Sequence, residues 1–179
     1  MSGKSPPVSG IPLATTERLT VHRLELSDAQ FICRLLNEPD FIQFIGDKGV
    51  RNLQDAGTYL EEGPLADYVD RGYGAYLVRQ RDTGEPIGLC GFYQRSNLDC
   101  PDLGFAFSRP FWGQGYALEA ARALLDYARD TLELSCLAAL AGVENRRSVR
   151  LIEALGFTSV GYFKLPDEDE VLRLYRLRF

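Results

Sequence analysis

Apolar and polar positions alternate along residues 19–24 with the period of two expected of a partly buried strand, and 73–80 and 87–95 are apolar, β-branched and aromatic runs that also read as strands. Arg81-Asp82-Thr83-Gly84-Glu85-Pro86 separates the latter two with turn-forming residues, so they read as a hairpin. A third strand, 102–107, runs into a glycine-rich segment. From Ala117 the pattern becomes helical: Ala117, Ala120, Ala121, Leu124, Leu125 and Ala128 form one face, and Glu119, Arg122, Asp126 and Arg129 the other. Nearer the start, Ser27 or Asp28 caps a helix that runs to about Asn37 and is ended by Pro39. A second helical region lies between Asn52 and Val69, broken around Gly63-Pro64. Residues 134–141 are almost continuously apolar, as in a strand covered on both faces. Asn145 caps another helix that Gly156 ends, and 157–163 and 171–179 supply two strands across an acidic turn at 166–170. The order βααβββαβαββ predicts an α/β sandwich built on a mixed sheet.

The junction between strand 102–107 and the helix at Ala117 carries the clearest chemistry. Leu103, Phe105 and Phe107 lead into Ser108-Arg109-Pro110-Phe111-Trp112-Gly113-Gln114-Gly115-Tyr116. A strand feeding a glycine turn that opens a helix presents N–H groups without intrahelical acceptors, which suits a phosphate. Glycines let the backbone approach that ligand closely. The segment is not a P-loop, because no Lys-Ser/Thr follows its glycines. Nor is it a dinucleotide fingerprint: Leu118 stands where a third Gly or Ala belongs, and the strand about 20 residues on ends without an acid. A glycine turn with no ligand is the structural alternative.

Trp112-Gly113-Gln114-Gly115-Tyr116-Ala117, followed by Glu119-Ala120, resembles the acyl-CoA loop of the GNAT N-acetyltransferases, in particular their RimJ/RimL-type, ribosomal-protein N-acetyltransferase branch. Gly115 and Ala117 take the last two fixed places of the family pattern Gln/Arg-x-x-Gly-x-Gly/Ala. Trp112 replaces the Gln or Arg, a departure common in this branch. Glu144-Asn145-Arg146-Arg147-Ser148, running to Leu155-Gly156-Phe157, is similar to the branch's Glu-Asn-x-x-Ser … Leu-Gly-Phe signature. The resemblance implies a single-domain GNAT-like fold over residues 15–179, with a mixed, mostly antiparallel sheet flanked by helices, behind a flexible leader at 1–14. It further implies acetyl-CoA as the only cofactor, no metal, and direct attack of an amine without a covalent acyl-enzyme. A protein or peptide N-terminal α-amine is the favoured acceptor. A small-molecule amine (polyamine, amino acid or aminoglycoside) and a non-catalytic acyl-CoA sensor are the alternatives. Homodimerisation, frequent among relatives, is a further expectation.

Site residues follow from the same resemblance. Backbone N–H groups of Phe105, Ala106 and Phe107 would pair with pantetheine and polarise the thioester. Trp112, Gly113, Gln114, Gly115, Tyr116 and Ala117 would hold pyrophosphate, with Tyr116 alternatively a packing residue. Asn145 would touch the cofactor as well as cap its helix. Ser148 shares helical spacing with Leu151, Ile152 and Leu155, so it lies inward. Its hydroxyl would hydrogen-bond the departing thiolate, or else complete the local cap or bond a carbonyl one turn back. Asp102 stands where many relatives place a Glu positioned to take the amine's proton, or is a surface charge at a strand start. Asp is a methylene shorter, which favours an α-amine of pKa about 8 over a lysine of about 10.4. Tyr73 and Tyr93 would line the acceptor cleft or simply pack.

Composition narrows the setting. At 179 residues, 45% hydrophobic and 25% charged, the chain suits one globular domain. No apolar run reaches the ~18 residues of a membrane span. Residues 1–12, rich in Ser, Gly and Pro, lack a signal peptide's apolar core, so a cytoplasmic protein is expected. The net charge of −5, with no Lys/Arg block, argues against a nonspecific nucleic-acid grip. Cys33, Cys90, Cys100 and Cys136 form no CxxC pair and are expected to be buried free thiols, without a zinc or redox motif. His22, the only histidine, reads as a strand residue, which leaves little for a histidine-activated nucleophile.

Overall fold

A computed structural model describes residues 10–164 and 170–179; residues 1–9 of the expected leader and 165–169 of the expected acidic turn lie outside the described residues. The chain forms β1 (Ala14–Thr15), β2 (Leu19–Arg23), α1 (Ala29–Leu36), α2 (Pro39–Phe44), α3 (Leu53–Leu60), α4 (Ala66–Asp70), β3 (Ala75–Gln80) and β4 (Pro86–Tyr93). There follow β5 (Asp102–Phe107), α5 (Tyr116–Asp130), β6 (Cys136–Gly142), α6 (Arg146–Ala154), β7 (Thr158–Lys164) and β8 (Val171–Arg178). The strands make one sheet in the order β1-β2-β3-β4-β5-β6-β8-β7. Every neighbouring pair is antiparallel except β5 and β6. This is the mixed, mostly antiparallel sheet flanked by helices that the sequence implies.

The sheet separates two apolar cores. On one face Leu24, Phe31, Ile32, Leu35, Leu36, Ala56 and Leu60, from the α1–α3 side, pack on Ala75, Leu77 and Leu89. On the other, Ala120, Ala121, Leu124 and Ala128 of α5 pack on Val21, Tyr76, Val78, Phe92 and Leu103. The apolar stripe expected for α5 is the buried one, and its alanines let the helix axis approach the strands closely. Asn145 caps α6 by accepting the Ser148 N–H at 3.2 Å. Gly156 ends that turn with φ +90°, a left-handed conformation that Gly adopts without penalty.

Several expectations are corrected. The sheet begins inside the expected leader, because Ala14 pairs with Val21 and the Leu13 N–H donates to the Val21 carbonyl at 2.8 Å. Pro39 starts α2 rather than only ending α1; at N1 its fixed φ and missing N–H cost nothing. The Gly63-Pro64 break is absorbed by a π-turn at Glu61–Leu65, which carries the chain on into α4. Asp28 does not cap α1. Its carboxylate accepts the Glu25 N–H at 2.9 Å and pairs with Arg79 at 2.7 Å. Cys100 and Cys136 are not free thiols: they form a disulfide with Cα atoms 5.8 Å apart. Cys33 and Cys90 are free, the latter fully buried.

His22 sits beside the buried Asp28–Arg79 pair, 5% exposed, and neither ring nitrogen has a hydrogen-bond partner among the described residues. Burial lowers its pKa, and the nearby Arg79 charge lowers it further against the opposing pull of Glu25. A folded-state pKa below the unfolded value means that the unfolded chain binds the extra proton. Stability is therefore complete above the unfolded pKa of about 6.5 and declines as pH falls through it, by at most about 1.4 kcal/mol per pH unit. Urea denaturation at pH 7.5 and 5.5 will show a lower midpoint at pH 5.5, and His22→Phe will remove most of that difference.

Candidate active site

The sheet is forked where β5 meets β6. Only Asp102 and Ala138 are in register between these strands. The Ala138 N–H donates to the Pro101 carbonyl at 2.8 Å, and beyond that root the strands diverge. β5 stays paired with β4 along its whole length, from Tyr93↔Asp102 to Gly88↔Phe107. β6 stays paired with β8 from Cys136↔Arg178 to Gly142↔Leu172. The fork is thus held open from both sides.

Backbone alternation decides which groups face the opening. The Ser108 N–H donates to Ile87 of β4 at 2.9 Å, so Ala106, Gly104 and Asp102 also turn their N–H and C=O groups toward β4. Pro101, Leu103, Phe105 and Phe107 face the fork instead. Of the three residues expected to offer amides, Phe105 and Phe107 therefore turn theirs to the fork and Ala106 does not, while Leu103 lies at the shared rung. The Phe107 carbonyl is taken by the Trp112 indole N–H at 2.6 Å.

The loop leaving β5 is shaped by glycine. Gly113 and Gly115 have φ of +73° and +83°, and Gly115 occupies the N-cap of α5. The first intrahelical bond runs from the Glu119 N–H to the Gly115 carbonyl at 3.0 Å. The N–H groups of Tyr116, Ala117 and Leu118 precede it and converge at the positive end of a 15-residue helix. Gln114 donates to the Pro110 carbonyl at 2.9 Å, bracing the turn. Tyr116 packs away from the amides. Its ring lies 4.4 Å from the Arg18 guanidinium and its hydroxyl accepts from Gln80 at 3.1 Å.

A strap from β1–β2 steadies this loop. Arg18 donates to the Gln114 carbonyl at 2.9 Å and pairs with Glu119 at 2.7 Å, while the Thr16 hydroxyl donates to Glu119 at 2.5 Å. Burial alone would raise the Glu119 pKa, but the Thr16 and Arg18 hydrogen bonds hold it below its ordinary value. On the other side, Arg109 pairs with Asp40 of α2 at 3.0 Å and lies 4.6 Å from the Trp112 ring. Arg147 of α6 also reaches that ring, at 5.2 Å.

Asp102 is no surface charge. It is 2% exposed and accepts from Arg95 Nε at 2.9 Å. Burial pushes its carboxyl pKa up, against the charge and hydrogen bond of Arg95. Cross-strand from it stands Tyr93, whose ring lies over Gly104: a Cβ there would come within 2.6 Å of Tyr93 Cε2. Burial, with Tyr59, Cys90 and Asp102 adding to it, pushes the Tyr93 hydroxyl well above its usual pKa, so it stays protonated. Asp102, Gly104 and Ala106 share the α1–α3 face of β5, whereas α6 packs on the α5 face through Val149 and Ile152. Ser148, in the first turn of α6, is half-buried, and its hydroxyl makes no hydrogen bond among the described residues. Asp102 and Ser148 thus approach the fork from opposite faces of the sheet. Tyr73 lies just outside β3 and its hydroxyl donates to Gln94 at 3.1 Å, toward the β4–β5 turn. Sequence reasoning missed Arg95 and Arg18, since each acts through a contact that no local pattern announces.

An open β-edge running to a ring of free amides at a helix N-terminus defines an acyl-CoA-dependent transferase: pantetheine can pair along the edge and pyrophosphate can sit on the amides. Comparison with known proteins agrees. Residues 18–158 match the family described as Acetyltransferase (GNAT) domain. The chain is 28% identical over 153 residues to the uncharacterized N-acetyltransferase p20 of Bacillus licheniformis, covering 83% of this chain and 84% of that protein. The acetyltransferase structure from Agrobacterium tumefaciens superposes with TM-score 0.78 at 29% identity, covering 99% of this chain and 100% of the other. RimL, the ribosomal L7/L12 alpha-N-protein acetyltransferase solved with coenzyme A, superposes with TM-score 0.81 at 16% identity, covering 94% and 98%. The chain belongs to the GNAT family of N-acetyltransferases and uses acetyl-CoA. No group of His, Cys, Asp and Glu capable of holding a metal occurs among the described residues.

Gly115→Ala will test the loop. A side chain at φ +83° costs about 1–2 kcal/mol, and relaxing that strain turns the amides away from the phosphates. Calorimetric titration is expected to show at least a tenfold weaker acetyl-CoA affinity, with the circular dichroism spectrum retained.

Proposed function

We propose that the protein acetylates an N-terminal α-amine of a protein or peptide by direct attack on acetyl-CoA, in a cytoplasmic setting. The carrying observation is the buried Asp102 at the root of the fork, held by a single arginine. The thioester would lie along Phe105 and Phe107, with its carbonyl polarised by their N–H groups. The loop from Trp112 to Ala117 would hold pyrophosphate, and Asn145, at the start of α6, would contact the coenzyme.

The amine enters from the α1–α3 face, where Asp102 accepts its proton and Tyr93 lines the approach. Attack forms a tetrahedral centre, and its collapse expels the thiolate toward α6, where the Ser148 hydroxyl donates a hydrogen bond to sulfur. No residue is acylated. Arg95 offsets part of the Asp102 charge, which makes the carboxylate a modest base. An α-amine of pKa about 8 needs less help than a lysine of about 10.4, so a modest base suits it better. RimL's description as an alpha-N-protein acetyltransferase supports this acceptor class.

Two variants separate the roles. Asp102→Asn will lower kcat by about 10²–10⁴ and abolish the acid limb of the pH–rate profile, a limb displaced upward in the wild type because burial raises the Asp102 pKa. Ser148→Ala will lower kcat with acetyl-CoA KM nearly unchanged, since its hydrogen bond strengthens only as the thiolate forms. A peptide panel with free or blocked N-termini, with and without lysine, reads the acceptor. Acetylation of lysine as fast as of α-amines, unaltered by Asp102→Asn, would defeat the assignment.

A further inference from the structure

The disulfide lies at the root of the fork. Cys100 and Cys136 each stand two residues before the pair Asp102↔Ala138, so the bridge extends the same parallel register beyond its last rung. There the Ala138 N–H donates to the Pro101 carbonyl, as part of the one backbone rung the strands share. The disulfide is therefore the covalent half of a two-part hinge, and the candidate base Asp102 is the next residue but one along β5.

The two sulfurs have unequal surroundings. Cys100 is 1% exposed, packed with Leu98 and Ala138, while Cys136, the first residue of β6, is only half-buried. Arg176 of β8 is in register with Ala138 and places Nη1 3.8 Å from Cys100 Sγ. Its guanidinium is held there by Asp99 at 2.9 and 2.5 Å. A cation beside a sulfur stabilises the thiolate and makes it the better leaving group.

We propose that Cys100–Cys136 is a reversible thiol–disulfide site, and that its state sets the rate of acetyl transfer through the position of Asp102. A low-molecular-weight thiolate attacks Cys136 Sγ. The S–S bond breaks, its electron pair passes to Cys100 Sγ beside Arg176, and a mixed disulfide forms at Cys136. A second small thiol displaces Cys136 and leaves as a small-molecule disulfide. The protein pair is thereby reduced by two electrons and two small thiols are oxidised. The reverse exchange with a small-molecule disulfide closes the bridge again. With the bridge open, β5 and β6 are held at the root by the single rung Asp102↔Ala138, and the fork gains freedom where the base must be placed.

The effect on transfer rests on the mechanism proposed above, whereas the exchange does not, so the test reads both. Full-length protein is equilibrated at graded ratios of reduced to oxidised glutathione. Thiols are then alkylated and mapped by mass spectrometry, and amide exchange is followed over residues 101–107 and 137–139. Cys100 and Cys136 are expected to change together. Root amides should exchange about tenfold faster in the dithiol form, and kcat should fall about fivefold with acetyl-CoA KM held. Arg176→Gln should slow reduction while leaving kcat of the bridged enzyme intact. The proposal is overturned by finding both cysteines free at every ratio, or by a complete reduction that alters neither amide exchange nor kcat. Responsive root amides without transfer in either state would uphold the redox site, overturn its coupling to transfer, and remove the basis for the proposed mechanism.

Discussion

Two parallel strands that share one rung and then part impose the condition on which the rest of this molecule is arranged. A buried strand edge with unpaired N–H and C=O groups is unfavourable unless something else satisfies them. Here β4 and β8 each hold one arm of the fork in full register, so the arms cannot close on each other. The indole of Trp112 takes one orphan, the Phe107 carbonyl. An extended amide-bearing chain laid along Phe105 and Phe107 can take others, which is what a pantetheine arm offers. On the proposed mechanism, the same gap lets groups from both faces of the sheet, Asp102 from one and Ser148 from the other, serve one reacting centre.

Buried charge is used sparingly and in pairs. Asp28–Arg79 locks the start of α1 to β3 with both partners nearly inaccessible, and it leaves His22 beside it without a hydrogen bond. Such a pair contributes less to stability than its Coulomb energy suggests, because desolvation offsets much of the gain. Asp102–Arg95 differs in one respect: the arginine is 38% exposed and the carboxylate 3%. The carboxylate's neutraliser is thus partly in water, so it remains ionisable while its pKa is lifted. That is the condition a proton acceptor requires.

What the sequence disclosed was local. The stripe of alanines and leucines on α5, the Asn145 cap, the Gly156 stop and the glycine turn at Gly113 and Gly115 are each written within a few residues, and each stands where expected. What it hid was remote or depended on parity. The turn of the Ala106 amide away from the fork depends on the register of β5 against β4, fixed by a bond between Ser108 and Ile87. Residues 14–15 are too short a strand to show a period. The bridging of Cys100 to Cys136 spans 36 residues with no spacing motif. Arg95 reaches Asp102 across an irregular turn with no periodic pattern to place it.

The division of labour across the sheet also bears on how such a protein can diverge. The coenzyme loop draws its support from β1–β2, α5 and α6, and the helices α1–α4 touch it chiefly through Arg109 with Asp40 and Glu38. On the proposed reading, substitutions over α1, α3 and α4 would reshape the acceptor side at little cost to the coenzyme grip. A lineage could then move among amine substrates by small steps while keeping its acetyl donor, with the contacts of Arg109 to Asp40 and Glu38 tying the two commitments together.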